Sequence, residues 1–414
     1  MLPSAIYKTS ESDRTAIVVM VGLDIDQTRP RDEMLELSMM FLAPQSTSDI
    51  NKSYTVVTAL GQNVSDCFNS LEYKTGKRAG LSHCELIIIS DKIAEAGAME
   101  YLDFFTRTNN LSTNSLLAVS QTPKELLEAQ QDESNSLSIT LQNILDYNQS
   151  HQFTSNIDLE SFHAQYFAEA STSYLPIINV KSGDDQGESG GSGNNDSGAN
   201  SGSGNANSSD VAGGSSTIDQ TTSSSGAKQS AKLEIVNSGE VAVIKQGKMI
   251  YKMSKAEVTA MNMFSTSVDK GSLAISDYSS HSINNADFII ELAHKSVSYS
   301  YSFSDSLPQF RLSLTAKCRL SEIAAQYYSI DSISVVDTQI TDSFRKILEE
   351  EINKQYAQLI NLAKSNDIDL FDLKKHYYRL YPTQWRQYLA QLPDDYNPIE
   401  RVVFHIDISL IDNG

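Results

Sequence analysis

The sequence predicts an α+β protein of three domains, with mixed and antiparallel sheets flanked by helices. A long disordered Ser/Gly linker is expected between the first domain and the second. Three observations carry this. β-rich runs alternate with amphipathic helical stretches through residues 1–181, a block of Ser, Gly, Asn, Asp and Thr interrupts the chain at 182–228, and the C-terminal end sets a long amphipathic helix, an aromatic-basic helical pair and an alternating strand in that order. Interspersed elements of these lengths fit a sheet covered by helices.

In the first unit, 1–181, strands are expected at Thr15–Gly22, Met34–Leu42, Tyr54–Ala59, Cys84–Ser90, Ser115–Ser120 and Leu175–Val180. Helices are expected at Asn63–Tyr73, Met99–Arg107, Pro123–Ala129, Leu137–Asn148 and Asp158–Ala168. Asn63 can cap its helix, and Thr122-Pro123 sets a capping residue before a proline at the first helical position. Asp24-Ile25-Asp26 stands where a strand meets a turn, the place where aspartates bond backbone amides, so a turn role is favoured over cation binding.

The block at 182–228 has almost no apolar surface with which to offset its ordering entropy, so it is expected to stay disordered. As a flexible coil it would span roughly 35–40 Å and separate its flanks without fixing their orientation. Residues 229–283 form a small hairpin-plus-helix unit. Strands are expected at Lys232–Val236, Val241–Lys245 and Lys248–Lys252, with a hairpin turn at Gln246-Gly247. A helix then runs to Phe264 from Ser254, with Glu257 completing a capping box.

The third unit, 284–414, is expected to be an antiparallel sheet with long amphipathic helices. Long strands at Ala286–Phe303 and Gln309–Leu320 lead into a helix. Its apolar stripe is Phe344, Ile347, Leu348, Ile352, Tyr356, Leu359, Ile360 and Ala363. The helical run from Phe371 to Leu389 breaks at Tyr381-Pro382, because the residue before proline is pushed out of the helical region. Val402, Phe404, Ile406, Ile408 and Leu410 then alternate with mostly polar residues, the pattern of a strand covered on one face. Within the helical pair, Lys374, Lys375, His376, Arg379 and Arg386 interleave with Tyr377, Tyr378, Tyr381, Trp385 and Tyr388. Lys374, Lys375, Arg379, Tyr381, Trp385 and Arg386 are therefore the candidate partner-contact surface, since aromatics and arginine concentrate at binding hot spots. The competing expectation is that the aromatics pack on the sheet while the basic side chains face water.

Composition narrows the function. Of 414 residues, 32 are Lys or Arg and 52 are Asp or Glu, a net charge of −20. Such a surface repels phosphate backbones, which argues against nucleic acid as a partner. It also disfavours adsorption to anionic lipid. Cys67, Cys84 and Cys318 match neither a disulfide framework nor a zinc site, and Cys84 lies in a β-rich run where a small buried side chain fits. The histidines, His83, His151, His163, His281, His294, His376 and His405, show no metal-ligand spacing. Most glycines fall in the Ser/Gly block, so no phosphate-cradling loop is expected either. No catalytic residue, metal or cofactor is expected. Thr15–Leu23 is the nearest candidate for a signal-peptide core, but it runs into Asp24 and Asp26, and neither a secretion signal nor an anchor is expected from these residues.

Several segments, taken in order, resemble one family. AIVVMVGLDID from Ala16 is similar to its first mature strand, and GQNVSDCFNSL from Gly61 to its first helix with the preceding glycine. SHCELIIISDKIAEAGAMEYLDFFTRTNNLSTNSLLAVS from Ser82 resembles its strand-helix-strand segment. GEVAVIKQGKMIYKMSKAE from Gly239 resembles its second-domain hairpin and helix, and the run from Phe344 to Tyr388 with the closing strand its third-domain signature. The family is the Ger(x)C lipoproteins, C subunits of the nutrient germinant receptors of spore-forming bacteria. The resemblance implies a non-enzymatic receptor subunit at the outer face of the inner spore membrane, held there by a lipid anchor or by its partners. Those partners would be a permease-like integral membrane subunit and a second subunit with large soluble domains. A rival expectation, drawn from the linker, is an extracytoplasmic solute- or glycan-binding protein with two lobes.

Overall fold

The computed structural model describes residues 15–42, 54–107, 111–112, 114–129, 141, 143–145, 156–167, 172–182, 233–266, 271–280, 283–325, 342–393 and 396–412. Its strands form two sheets. The first has nine strands: β1 (Thr15–Ile25), β2 (Leu35–Leu42), β3 (Tyr54–Gly61), β4 (Arg78–Gly80), β5 (Leu86–Ser90), β6 (Leu116–Ser120), β7 (Thr172–Ser182), β8 (Leu233–Lys245) and β9 (Lys248–Met253). They lie in the order β3-β2-β1-β5-β6-β7-β8-β9, with β4 also paired to β1. β1, β5, β6 and β7 run parallel in the centre, and antiparallel strands complete both edges.

Leu86-Ile87-Ile88-Ile89 in β5 is buried on both faces, as expected of a central parallel strand with helices on either side. Ile87 and Ile89 join a core with α1 (Val64–Thr75), α2 (Asp91–Arg107) and α4 (Leu159–Phe167), through Phe68, Leu102, Phe105 and Phe162. Leu86 and Ile88 face the other way, into a smaller core with Leu126 and Leu127 of α3 (Pro123–Glu128) and with Leu141 and Leu145.

The second sheet has the order β10-β11-β12-β13, from β10 (Gly271–Ser280), β11 (Ile283–Ser304), β12 (Leu307–Ala325) and β13 (Val403–Asp412). One face is covered by α5 (Lys255–Met263), α6 (Asp342–Asn366), α7 (Leu373–Leu380) and α8 (Pro382–Leu389). Leu348, Ile352, Tyr356, Leu359, Ile360 and Ala363 of α6 are buried there, as the periodicity predicts. The other face carries Ser296, Ser298, Ser300 and Ser302, all exposed.

Five expectations change. β13 runs parallel to β12, so the C-terminal sheet is mixed; among the described residues three helices lie between the two strands, and such a connection can return the chain in the same direction. The two strands expected at 232–236 and 241–245 are one strand, β8, which passes through Gly239 at a φ of 72°. β10 was not foreseen, since Gly271–Ser280 has weak alternation. α2 begins at Asp91, with non-helical Gly97 (φ 144°) inside it marking the break before the stretch that periodicity finds. Thr122 makes no side-chain cap, although Pro123 does open α3. Asn63 and the Ser254–Glu257 capping box form as expected. The helix expected at 137–148 lies outside the described residues except at 141 and 143–145, and the Ser/Gly block lies outside them from 183 onward.

Hydrogen bonding divides the elements expected at 229–283 between the sheets. β8 and β9 extend the first sheet, whereas β10 pairs with β11 in the second. Along β8, Ala242 and Ile244 belong to the first core, and Val241 and Val243 to the core of the second sheet. The β8–β9 turn docks on the α2 break, where the Ala98 N–H donates to the Gly247 carbonyl at 2.7 Å. Gly247 has a φ of 76°, and a Cβ there would meet the Tyr166 ring at 2.9 Å.

Ser182 pairs with Leu233 across the β7–β8 ladder, so the chain leaves the sheet at Ser182 and re-enters it at Leu233 about 5 Å away. The Ser/Gly block joins neighbouring antiparallel strands instead of tethering separate lobes. Replacing residues 183–232 with a four-residue turn is therefore expected to preserve the fold and to raise stability by about 2 kcal/mol through cheaper loop closure. Urea unfolding with an unchanged m-value checks this; a destabilised chain would show that β7 and β8 do not close as a hairpin.

Candidate interaction surface

The candidate surface begins where α6 stops. Asp367 takes a left-handed conformation (φ 51°), and the Ile368 N–H donates to the Ala363 carbonyl at 2.9 Å, the bond of a Schellman cap. Ile368 is fully buried, fixing the direction in which the chain leaves the helix. Asp369, 3% exposed, then caps α7 from four positions before its first residue, Leu373. Its carboxylate accepts from the N–H groups of Leu373 at 2.7 Å and Lys374 at 2.9 Å. Burial pushes the Asp369 carboxyl up to about 6, against the opposing pull of those two amides.

This corner is tied to the first sheet. Asp367 is ion-paired to Lys245 at the end of β8 and to Lys374 at 3.0 Å. Tyr174 of β7, whose hydroxyl burial holds well above its ordinary range, donates to the Asp369 carbonyl at 3.5 Å. Away from this corner, the end of α5 is held to β11 of the second sheet. Lys295, 5% exposed, donates to the carbonyls of Asn262 and Met263, both at 2.9 Å, and of Ser265 at 3.0 Å.

α7 and α8 pack their aromatic side onto the sheet. Trp385 is 3% exposed and stacks on Tyr377 with ring centroids 5.3 Å apart and planes 14° apart. Tyr377 donates to the Gln309 carbonyl at 2.6 Å, Tyr388 to Pro398 at 2.6 Å, and half-buried Tyr381 to Tyr301 at 2.9 Å. His376 stacks on Tyr301 at 4.7 Å.

The six candidate residues therefore separate. Trp385 belongs to the core, a correction explained by the helical period: it falls on the same side as Tyr377, Tyr381 and Tyr388, the side that faces the sheet. Tyr381 and Lys374 are half-buried and committed to internal partners. Lys375, Arg379 and Arg386 are exposed. Beside them stand Tyr378, Leu380 and Leu389, at 51%, 54% and 39% exposure. Leu380 and Leu389 escaped sequence reasoning, because an apolar residue at a helix end looks like core. Asp367 and Asp369 escaped it too; the Asp-Ile-Asp string at 367–369 was the available signal, but Lys245 lies 122 positions away.

Elsewhere, Asp26 serves its turn, accepting from Thr28 N–H at 3.0 Å and Thr28 Oγ1 at 2.6 Å, while Asp24 lies within β1 and faces Lys92 at 3.7 Å. Cys67, Cys84 and Cys318 are buried, and desolvation pushes the Cys67 and Cys84 thiols up to about 12. Among the described residues no group of three or more His, Cys, Asp or Glu side chains is placed to hold a metal, and no helix is long and apolar enough to cross a membrane. A groove of about 720 Å³ between α5 and α6 has Ala256, Ala260, Leu359 and Leu362 among its apolar residues and Gln355 and Gln358 among its polar ones.

Two family models match the chain. One, described as "Spore germination protein N-terminal domain", covers residues 8–180. The other, "Spore germination B3/ GerAC like, C-terminal", covers residues 239–411. A solved structure described as the crystal structure of the GerBC protein is 13% identical, with a TM-score of 0.47 over 95% of this chain and 97% of that one. No curated protein matches.

Proposed function

Because the chain belongs to the Ger(x)C family, the C subunits of spore germinant receptors, we propose that it is a non-enzymatic scaffold that helps trigger germination through protein contacts. Its partners on this reading are a permease-like integral membrane subunit and a subunit with large soluble domains. Its place is the outer face of the inner spore membrane, reached through a lipid anchor or through those subunits. The observation that carries the reading is the match of germination-family models on both sides of the Ser/Gly block, at 8–180 and 239–411. Physically, a scaffold needs surfaces held at fixed angles, and the ties from Lys245 and Tyr174 to the α6–α7 corner supply that rigidity.

The expected result is that the chain co-purifies with both receptor subunits from spore membranes, and that deleting its gene slows germination on at least one nutrient. Normal germination of the deletion strain on every nutrient would end the reading. A second reading, a solute-binding protein, draws on the α5–α6 groove, where two carboxamides border an apolar floor. A sugar or amino acid that raises the melting temperature of the purified chain would favour it.

A further inference from the structure

We propose that the outward face of α7 and α8 is a docking surface for an acidic protein surface that also bears aliphatic side chains. The inference rests on the scaffold reading and names the chemistry of one partner contact.

Charge is the first argument. The whole chain carries −20, yet residues 372–389 hold four basic side chains against the single carboxylate of Asp372. Lys374 is spent on Asp367. Lys375, Arg379 and Arg386 have no ion-pair partner among the described residues and stand in water. A local field opposite in sign to the rest of the molecule steers an acidic partner to this face and away from the remainder.

Apolar exposure is the second. Single exposed leucines are ordinary. Here Tyr378, Leu380 and Leu389 are all exposed within twelve residues, on two helices joined directly at Tyr381-Pro382. Lys375, Tyr378 and Arg379 are spaced three and four apart, one face of α7, and Arg386 and Leu389 are spaced three apart on α8. Tyrosine and arginine are the residue types that concentrate at interface hot spots, and the two leucines beside them add apolar area to bury.

Rigidity is the third. The underside is fixed by the Tyr377–Trp385 stack, by the Tyr381 and Tyr388 hydroxyl bonds, and by the Asp369 cap. A partner therefore meets a pre-formed surface, and little ordering entropy opposes association.

The test uses the full chain and the purified soluble-domain subunit of the same receptor, with binding measured at low and at moderate salt. The wild type should bind, with affinity falling as salt rises. The triple reversal K375E/R379E/R386E should weaken binding by at least about tenfold with only a small drop in melting temperature, because all three side chains are exposed and Arg379 and Arg386 lose only their favourable place in the last turns of α7 and α8. Tyr378→Ala with Leu380→Ser should weaken it while keeping the salt dependence. Lys346→Glu, exposed on α6, should leave it intact. Wild-type affinity in the triple reversal would overturn this surface and leave the scaffold reading standing. Failure of the wild type to bind any receptor subunit would overturn both. Binding of the wild type to phosphatidylglycerol vesicles, lost in the triple reversal while receptor assembly persists, would assign the face to lipid and overturn the protein partner.

Discussion

Replacing Trp385 with alanine is expected to destabilise the protein by about 3–5 kcal/mol, the range for emptying a large aromatic site in a packed core. The indole is 3% exposed, and it stacks on Tyr377 at 5.3 Å while lying 5.3 Å from Tyr388. These rings cannot close the gap. Tyr377 is anchored to the Gln309 carbonyl and Tyr388 to Pro398, each at 2.6 Å, and both bonds would be lost if the rings swung inward. Trp385→Phe should cost less, since a ring remains against Tyr377. Trp385 is the sole tryptophan, so unfolding must be followed by circular dichroism. A midpoint shift equivalent to less than about 1 kcal/mol would mean the site collapses without penalty and would contradict the packing described.

Lys295→Met should cost on the order of 3 kcal/mol, because it removes a buried ammonium from three carbonyls, and a hydrogen bond to a charged group is worth ~1.5–3 kcal/mol. The ammonium collects the Asn262, Met263 and Ser265 carbonyls at the end of α5, where the helix ladder runs short of donors and the Asn262 carbonyl accepts from the Ser265 N–H at 3.2 Å. A cation at a helix C-terminus also meets the negative end of its dipole. The β11 backbone is shaped for this. The ladder with β12 shifts register between Ala293 and Ser296, His294 has a φ of 47°, and Lys295 is thereby buried among alternating outward serines. Methionine keeps the stem's volume, so a measured loss reports the ammonium and not a void. Thermal unfolding with no change beyond about 0.5 kcal/mol would show that water replaces the lysine without cost.

Much of this architecture is legible in the sequence wherever a short-range pattern encodes it. The α6 stripe, the Tyr381-Pro382 break, the Asn63 cap and the Ser254–Glu257 box all rest on spacings of three or four residues. Direction and partnership are not encoded so locally. Alternation in β13 reveals a covered face yet says nothing of its running parallel to β12. The sequence suggests two strands, at 232–236 and 241–245, although β8 is one strand that bulges at the left-handed Gly239, where its register with β7 shifts. For the candidate surface, composition locates the segment and the helical period divides it. Trp385 stands out by type, and only its phase with Tyr377 and Tyr388 puts it inside. The corner that orients the surface depends on Lys245 and Tyr174, whose distance in sequence hides them.

The position of β8 between two interiors has a mechanical consequence. Successive side chains on a strand point in opposite directions with no slack between them. A shift of Val241 or Val243 is thus also a shift of Ala242 and Ile244. Strain applied at the C-terminal helices travels into the nine-stranded sheet through one stiff backbone, with the Lys245–Asp367 bridge bearing on the same strand's end. Whatever pulls on one half of this molecule moves the other.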